Sequence, residues 1–122
     1  MISIIDDDAS VRTATNNLLS SHGYLIQTFV SADDFLQSAR LDSLSCVIAD
    51  VQMPGMSGLD LLTHMRAQGY TVPLIFITAF PDDSARARAL KAGAIGFLAK
   101  PFAGPLLIDC IEIALNRRGV GK

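Results

Sequence analysis

Short, continuous apolar runs alternate along the chain with longer stretches in which apolar residues recur every three or four positions. Ile2 to Ile5 is the first run, and it leads directly into Asp6-Asp7-Asp8. From Ser10 onward Val11, Ala14, Leu18 and Leu19 return at helical spacing until Gly23 stops them. Tyr24 to Phe29 alternates as a strand does, and Ser31 then caps a helix with Phe35, Leu36 and Ala39 on one face. Cys46 to Ala49 reads as a third strand; Asp50, a Pro54-Gly55 turn and a helix from Ser57 that buries Leu59, Leu62 and Met65 follow, ending at Gly69. Pro73 to Ile77 is a fourth strand with its proline first, where no ladder hydrogen bond need be lost. The remaining pattern predicts an Ala-rich helix over Asp82 to Leu90 closed by Gly93, a fifth strand over Ile95 to Ala99, and a last helix from Pro105 to Asn116.

Strands that are continuous apolar runs, alternating one for one with helices, belong in a parallel sheet covered on both faces. Right-handed crossovers then favour an α/β, doubly wound, five-stranded sheet of flavodoxin-like order 2-1-3-4-5 with five helices. Residues 1–116 account for all of these elements and read as one domain. Residues 117–122 carry no apolar period and read as a frayed end or the start of a linker.

Composition narrows the class without naming a chemistry. Half of the 122 residues are hydrophobic, only 18% are charged and mean hydropathy is +0.37, which excludes a disordered chain. No apolar run approaches membrane-spanning length and no basic segment precedes one, so neither a membrane span nor a signal peptide is expected and the cytoplasm is the default location. The net charge of −2 and the scattered Lys and Arg give no basis for direct nucleic-acid binding. Cys46 and Cys110 have no CxxC or Cys/His neighbours and read as packing residues.

The chemistry lies at the carboxyl ends of the strands, where folds of this kind keep their ligands. Asp6, Asp7 and Asp8 follow the first strand, Asp50 the third, Thr78 the fourth and Lys100 the fifth. Taken singly, the aspartates are ordinary turn or cap residues, Lys100 a solvated loop lysine and Thr78 a strand end. Taken together they converge on one edge. Carboxylates gathered without His or thiolate invite Mg²⁺, for which Mn²⁺ can substitute. A lysine ammonium and a threonine hydroxyl beside them suit a transferring phosphoryl group, and a carboxylate can accept it as an aspartyl-phosphate.

On the motifs Ile4-Ile5-Asp6-Asp7-Asp8, Ile48-Ala49-Asp50-Val51-Gln52-Met53-Pro54-Gly55-Met56-Ser57-Gly58, Phe76-Ile77-Thr78-Ala79 and Gly93 to Phe102, the chain resembles a response-regulator receiver domain of two-component signalling. Asp33-Asp34-Phe35-Leu36, Thr78 to Asp82 and Lys100-Pro101-Phe102 look most like the FixJ branch of transcriptional regulators. The resemblance implies that Asp50 accepts a phosphoryl group from a sensor histidine kinase. It implies Mg²⁺ ligation by Asp7, Asp50 and the backbone carbonyl of Gln52, with Asp6 acting through water. It further implies phosphoryl contacts from Thr78 and Lys100, a cis Lys100-Pro101 bond, and a switch formed by Thr78 and Phe97. Such a domain is a phospho-acceptor that catalyses its own phosphorylation and dephosphorylation rather than an enzyme acting on a separate substrate. In the family the fourth helix, fifth strand and fifth helix form the surface for partners or a phosphorylation-driven homodimer. Here the last helix is apolar on more than one face, with Ile108 and Ile113 expected to stay exposed. Phe80, two residues past Thr78, stands where a water would approach and points to slow autodephosphorylation.

Other readings are a stand-alone regulator working through protein contacts, a degenerate receiver, a flavodoxin and a small-molecule aspartyl-phosphate phosphatase of the haloacid dehalogenase type. The flavodoxin is disfavoured because Asp6 to Asp8 would repel a phosphate. The phosphatase is disfavoured because Gln52 stands where that type needs an acid/base Asp. The degenerate receiver is disfavoured because each catalytic position is filled.

Overall fold

Each short apolar run forms one strand: β1 Ile2–Ile5, β2 Ile26–Phe29, β3 Cys46–Asp50, β4 Leu74–Thr78 and β5 Gly96–Ala99. The computed structural model describes residues 1–38 and 41–120, the side chains of residues 42 and 117–120 excepted. Between the strands run α1 (Ala9–Ser21), α2 (Ala32–Ser38), α3 (Gly58–Ala67) and α4 (Asp83–Lys91), and α5 (Gly104–Val120) follows β5. All pairings are parallel and the order is β2-β1-β3-β4-β5, as the alternation of runs and helices predicts. No helix among the described residues is long and apolar enough to cross a membrane.

Strand side chains alternate between two helix layers. Cys46, Ile48, Ile75 and Ile77 pack with Leu19 of α1 and with Leu107, Ile111 and Ala114 of α5. Val47, Ala49, Leu74 and Phe76 face Phe35 of α2, Leu61, Leu62 and Met65 of α3, and Ala85 and Ala89 of α4. Both faces are covered, and the strand ends remain as the place where a ligand can reach the sheet.

Several expectations need correction. In α3 the buried stripe is Gly58, Leu61, Leu62 and Met65, while Leu59 is half-buried; the stripe starts at a glycine, which an apolar count passes over. In α1 the buried partner of Leu19 is Thr15, and Ala14 is exposed. In α5 Ile108 is buried rather than exposed, whereas Ile113 is exposed as expected, and it shares the outward face with Leu106 seven positions earlier, the two 53% and 54% exposed. The helix continues to Val120, so part of the segment read as a frayed end carries helical backbone; Gly121 and Lys122, like Ala39, lie outside the described residues.

Candidate functional site

The strand register brings the four strand ends to one edge. The β1/β3 ladder closes at Ile5 opposite Ala49, leaving Asp6 just beyond it; Asp50 pairs with Ile77, Thr78 pairs with Ala99, and Lys100 follows at once. Asp6 is fully buried and Asp50 and Thr78 are nearly so, whereas Asp7 and Asp8 are exposed. Asp8 is the N-cap of α1, its carboxylate accepting from the backbone N–H of Ser10 and Val11. The three consecutive aspartates thus divide into a buried floor, an exposed rim and a helix cap.

Lys100 ties the floor together. Its ammonium donates to Asp6 Oδ2 at 2.9 Å and to Asp50 Oδ2 at 2.8 Å. The other oxygens are held by backbone: Asp8 N–H donates to Asp6 Oδ1 at 2.9 Å and Gln52 N–H to Asp50 Oδ1 at 3.0 Å. Burial pushes the Asp6 carboxyl above its ordinary value, against the hydrogen bonds from Lys100 and Asp8 that pull it down. Burial alone would lower the Lys100 ammonium, but its bonds to Asp50 and Asp6 outweigh this and raise it. The Lys100-Pro101 bond is cis.

Above this floor lies a pocket of ≈ 240 Å³ lined by Asp7, Asp8, Asp50, Gln52, Thr78, Ala79, Phe80 and Lys100. Carboxylate oxygens of Asp6, Asp7 and Asp50 lie within 4.8 Å of one another. One lysine for three clustered carboxylates leaves the site short of positive charge, and an all-oxygen donor set fits a hard dication such as Mg²⁺. Thr78 Oγ1 accepts from Phe80 N–H at 3.1 Å, which leaves the hydroxyl hydrogen available as a donor. Phe80 itself is 68% exposed at the pocket rim.

Of the residues singled out from sequence, Asp7, Asp50, Gln52, Thr78 and Lys100 line this pocket and Asp6 lies against it through Lys100. Phe97 does not line it: on β5 opposite Phe76, it is 6% exposed in the core layer shared with α3 and α4. Two contributors were assigned no role from the sequence, although Gly58 closes one of the quoted motifs. Arg12, in the first turn of α1, donates from Nη1 to the Asp6 carbonyl at 2.7 Å. Gly58 has its N–H on the Val51 carbonyl at 3.0 Å, and a Cβ there would collide with the Asp50 carbonyl oxygen and come within 2.9 Å of the Phe76 ring. The β3–α3 loop can close under Asp50 only because that position lacks a side chain.

Residues 2–112 match the family described as the response regulator receiver domain. Nodulation protein W of Bradyrhizobium diazoefficiens is 39% identical over 117 residues, covering 96% of this chain and 52% of that protein. The transcriptional regulatory protein FixJ of the same organism is 40% identical over 116 residues, 95% of this chain and 57% of FixJ. The chain spans about half the length of the curated relatives it matches. Among solved structures, the response regulator StyR is 42% identical with a TM-score of 0.89 over 98% of this chain and 62% of that one. A receiver domain protein from Clostridium thermocellum is 28% identical with a TM-score of 0.93, over 99% and 98% of the two chains.

Proposed function

The chain belongs to the response regulator receiver family, and from that premise we propose that Asp50 is its phospho-acceptor and that a sensor histidine kinase is the donor. The observation that carries the reading is the pocket in which Asp50 meets Lys100 on one oxygen and shares its walls with Asp7 and Thr78. A carboxylate oxygen of Asp50 attacks phosphorus of the kinase's phosphohistidine. The new P–O bond forms as the P–N bond breaks, and the imidazole leaves with that electron pair and takes up a proton. Asp7 and Asp50 would hold Mg²⁺, with the Gln52 carbonyl as a third protein ligand and Asp6 acting through water, and the ion would supply neutralising charge for the phosphoryl oxygens. Lys100 transfers its second hydrogen bond from the carboxylate to a phosphoryl oxygen, and its charge offsets the one added. The Thr78 hydroxyl donates to another oxygen.

These contacts exist only in the phosphorylated form, so they bias a two-state equilibrium in which Thr78 moves toward the phosphate and Phe97 holds its inward position behind it. The output surface is α4, β5 and α5, where Leu90, Leu106 and Ile113 are exposed and available to a partner or a second copy. Relatives named as transcriptional regulatory proteins support regulation of transcription as the purpose of the switch.

Intact mass after incubation with acetyl phosphate and Mg²⁺ tests the proposal. One added phosphoryl group is expected in the wild type and none in Asp50→Asn or in EDTA. An adduct that persists in Asp50→Asn, or its absence from the wild type while a control receiver is labelled, overturns it.

A further inference from the structure

We propose that Arg12 is a positioning residue for the metal site: it fixes the peptide between Asp6 and Asp7 and thereby aims the Asp7 carboxylate. The inference rests on the phospho-acceptor reading and deepens it. Asp6 is the point at which the chain leaves the sheet. Its N–H still makes a last rung to the Phe29 carbonyl at 3.1 Å, but the β1/β3 register has already closed at Ile5, so its own carbonyl lies beyond the ladder. Arg12 takes that carbonyl with a 2.7 Å hydrogen bond. A charge-assisted bond of this length is stronger than a neutral one. Among the described residues both ion pairs are made by Lys100, so Arg12 is not held by a carboxylate instead.

The consequence falls on Asp7. The Asp6 carbonyl and the Asp7 N–H belong to one rigid plane, so fixing the first also fixes the second and the position of the Asp7 Cα from which its side chain leaves the backbone. Asp6 needs no such help, because Lys100 and the Asp8 N–H already fasten both of its carboxylate oxygens. The exposed Asp7 side chain makes no hydrogen bond or ion pair among the described residues, so its reach toward the site depends on where the backbone places its Cα. Arg12 can act because α1 begins at Ala9 and its first intrahelical bond is Arg12 N–H to Asp8 carbonyl at 3.0 Å; the side chain therefore starts from a fixed turn capped by Asp8.

Positioning and simple electrostatics predict opposite signs. A cation beside clustered carboxylates opposes a dication, so removal of its charge alone would tighten Mg²⁺ binding. Loss of the orienting bond would weaken it, by about tenfold for a group that acts through a ligand. Titration of the metal-free chain with MgCl₂ by calorimetry, in wild type, Arg12→Met and Arg12→Lys, decides between them. The expected result is a Kd raised about tenfold in Arg12→Met, and raised less in Arg12→Lys, whose single ammonium keeps the charge and reaches less far. Labelling by acetyl phosphate should fall in Arg12→Met at low Mg²⁺ and return to the wild-type rate at saturating Mg²⁺, a recovery that general damage to the fold would not show. A Kd in Arg12→Met at or below that of the wild type overturns the inference. Should that variant not fold, a Kd in Arg12→Lys at or below the wild-type value does the same. A wild type that binds no Mg²⁺ would sink the acceptor-site reading and this inference together, whereas a wild type that binds beside an unimpaired Arg12→Met sinks this inference alone.

Discussion

Phe80 is the residue at which this site departs from a purely polar pocket. Its backbone N–H is committed to Thr78 Oγ1, which fixes where the side chain begins, and its ring is largely exposed at the mouth of the pocket. Hydrolysis of an aspartyl-phosphate needs a water in line with the P–O bond and a group to orient it. An aromatic ring offers neither donor nor acceptor in its plane and occupies room that water would use. We predict that Phe80→Glu shortens the phosphoryl lifetime on Asp50 about fivefold to tenfold, roughly 1 kcal/mol off the hydrolysis barrier. Decay of the labelled protein, followed by intact mass after removal of the donor, measures it. A variant whose adduct lasts as long as that of the wild type shows that the ring does not obstruct the water.

At the scale of the element, α3 is seated by two local devices that serve different ends. Ser57 and Asp60 form a capping box that satisfies the first turn, and Gly58 lets that turn pass directly beneath Asp50. The cap stabilises the helix, and the glycine sets the height of the phospho-acceptor. Gly58→Ala is therefore expected to cost about 1–3 kcal/mol in urea unfolding, the range for overpacking a closed site. It should also lower the labelling rate of Asp50 at temperatures where the variant remains folded, because the Asp50 carbonyl, with its residue, is the atom that must give way. Unchanged stability and rate together would mean that the loop relaxes without disturbing Asp50. Apolar period and caps made α1, α3 and α4 legible in the sequence, since those signals lie within a few residues of one another. Leu62 and Met65 were legible as the inward face of α3, but its first turn was misread at Leu59, because the stripe opens on Gly58, a position chosen by a contact with Asp50 eight residues earlier. The same limit applies to Arg12: its partner is a backbone carbonyl, and no choice of side chain at position 6 announces it. In α5 the sequence showed a surplus of apolar residues, but the outward face follows from how the helix meets β3 and β4, and it proved to be that of Leu106 and Ile113.

For the molecule as a whole, the doubly wound topology does more than collect the strand ends. It also points the N-termini of α1, α2, α3 and α4 to the same edge, where acidic residues are favoured by the helix dipole. Every acidic residue except Asp42, Asp109 and Glu112 accordingly lies at a strand's carboxyl end or in the first turn of a helix: Asp6, Asp7, Asp8, Asp33, Asp34, Asp50, Asp60, Asp82 and Asp83. This is why the site was legible without a structure, since motifs far apart in the chain had only one edge on which to meet. The small net charge of −2 conceals the asymmetry. A phosphodonor approaching Asp50 meets a far more negative field than that total suggests, relieved locally by Lys100 and Arg12. For a small dianionic donor such as acetyl phosphate the field is a barrier to encounter, and salt shortens its range from about 30 Å at 0.01 M to about 10 Å at 0.1 M. With Mg²⁺ held saturating, the second-order labelling rate should therefore rise severalfold as NaCl is added up to about 0.3 M. Phosphoramidate, which carries less negative charge, should respond less. If the acetyl phosphate rate falls with salt, or if both donors respond alike, the acidic edge does not govern encounter, and local contacts from Lys100 and Thr78 set the rate instead.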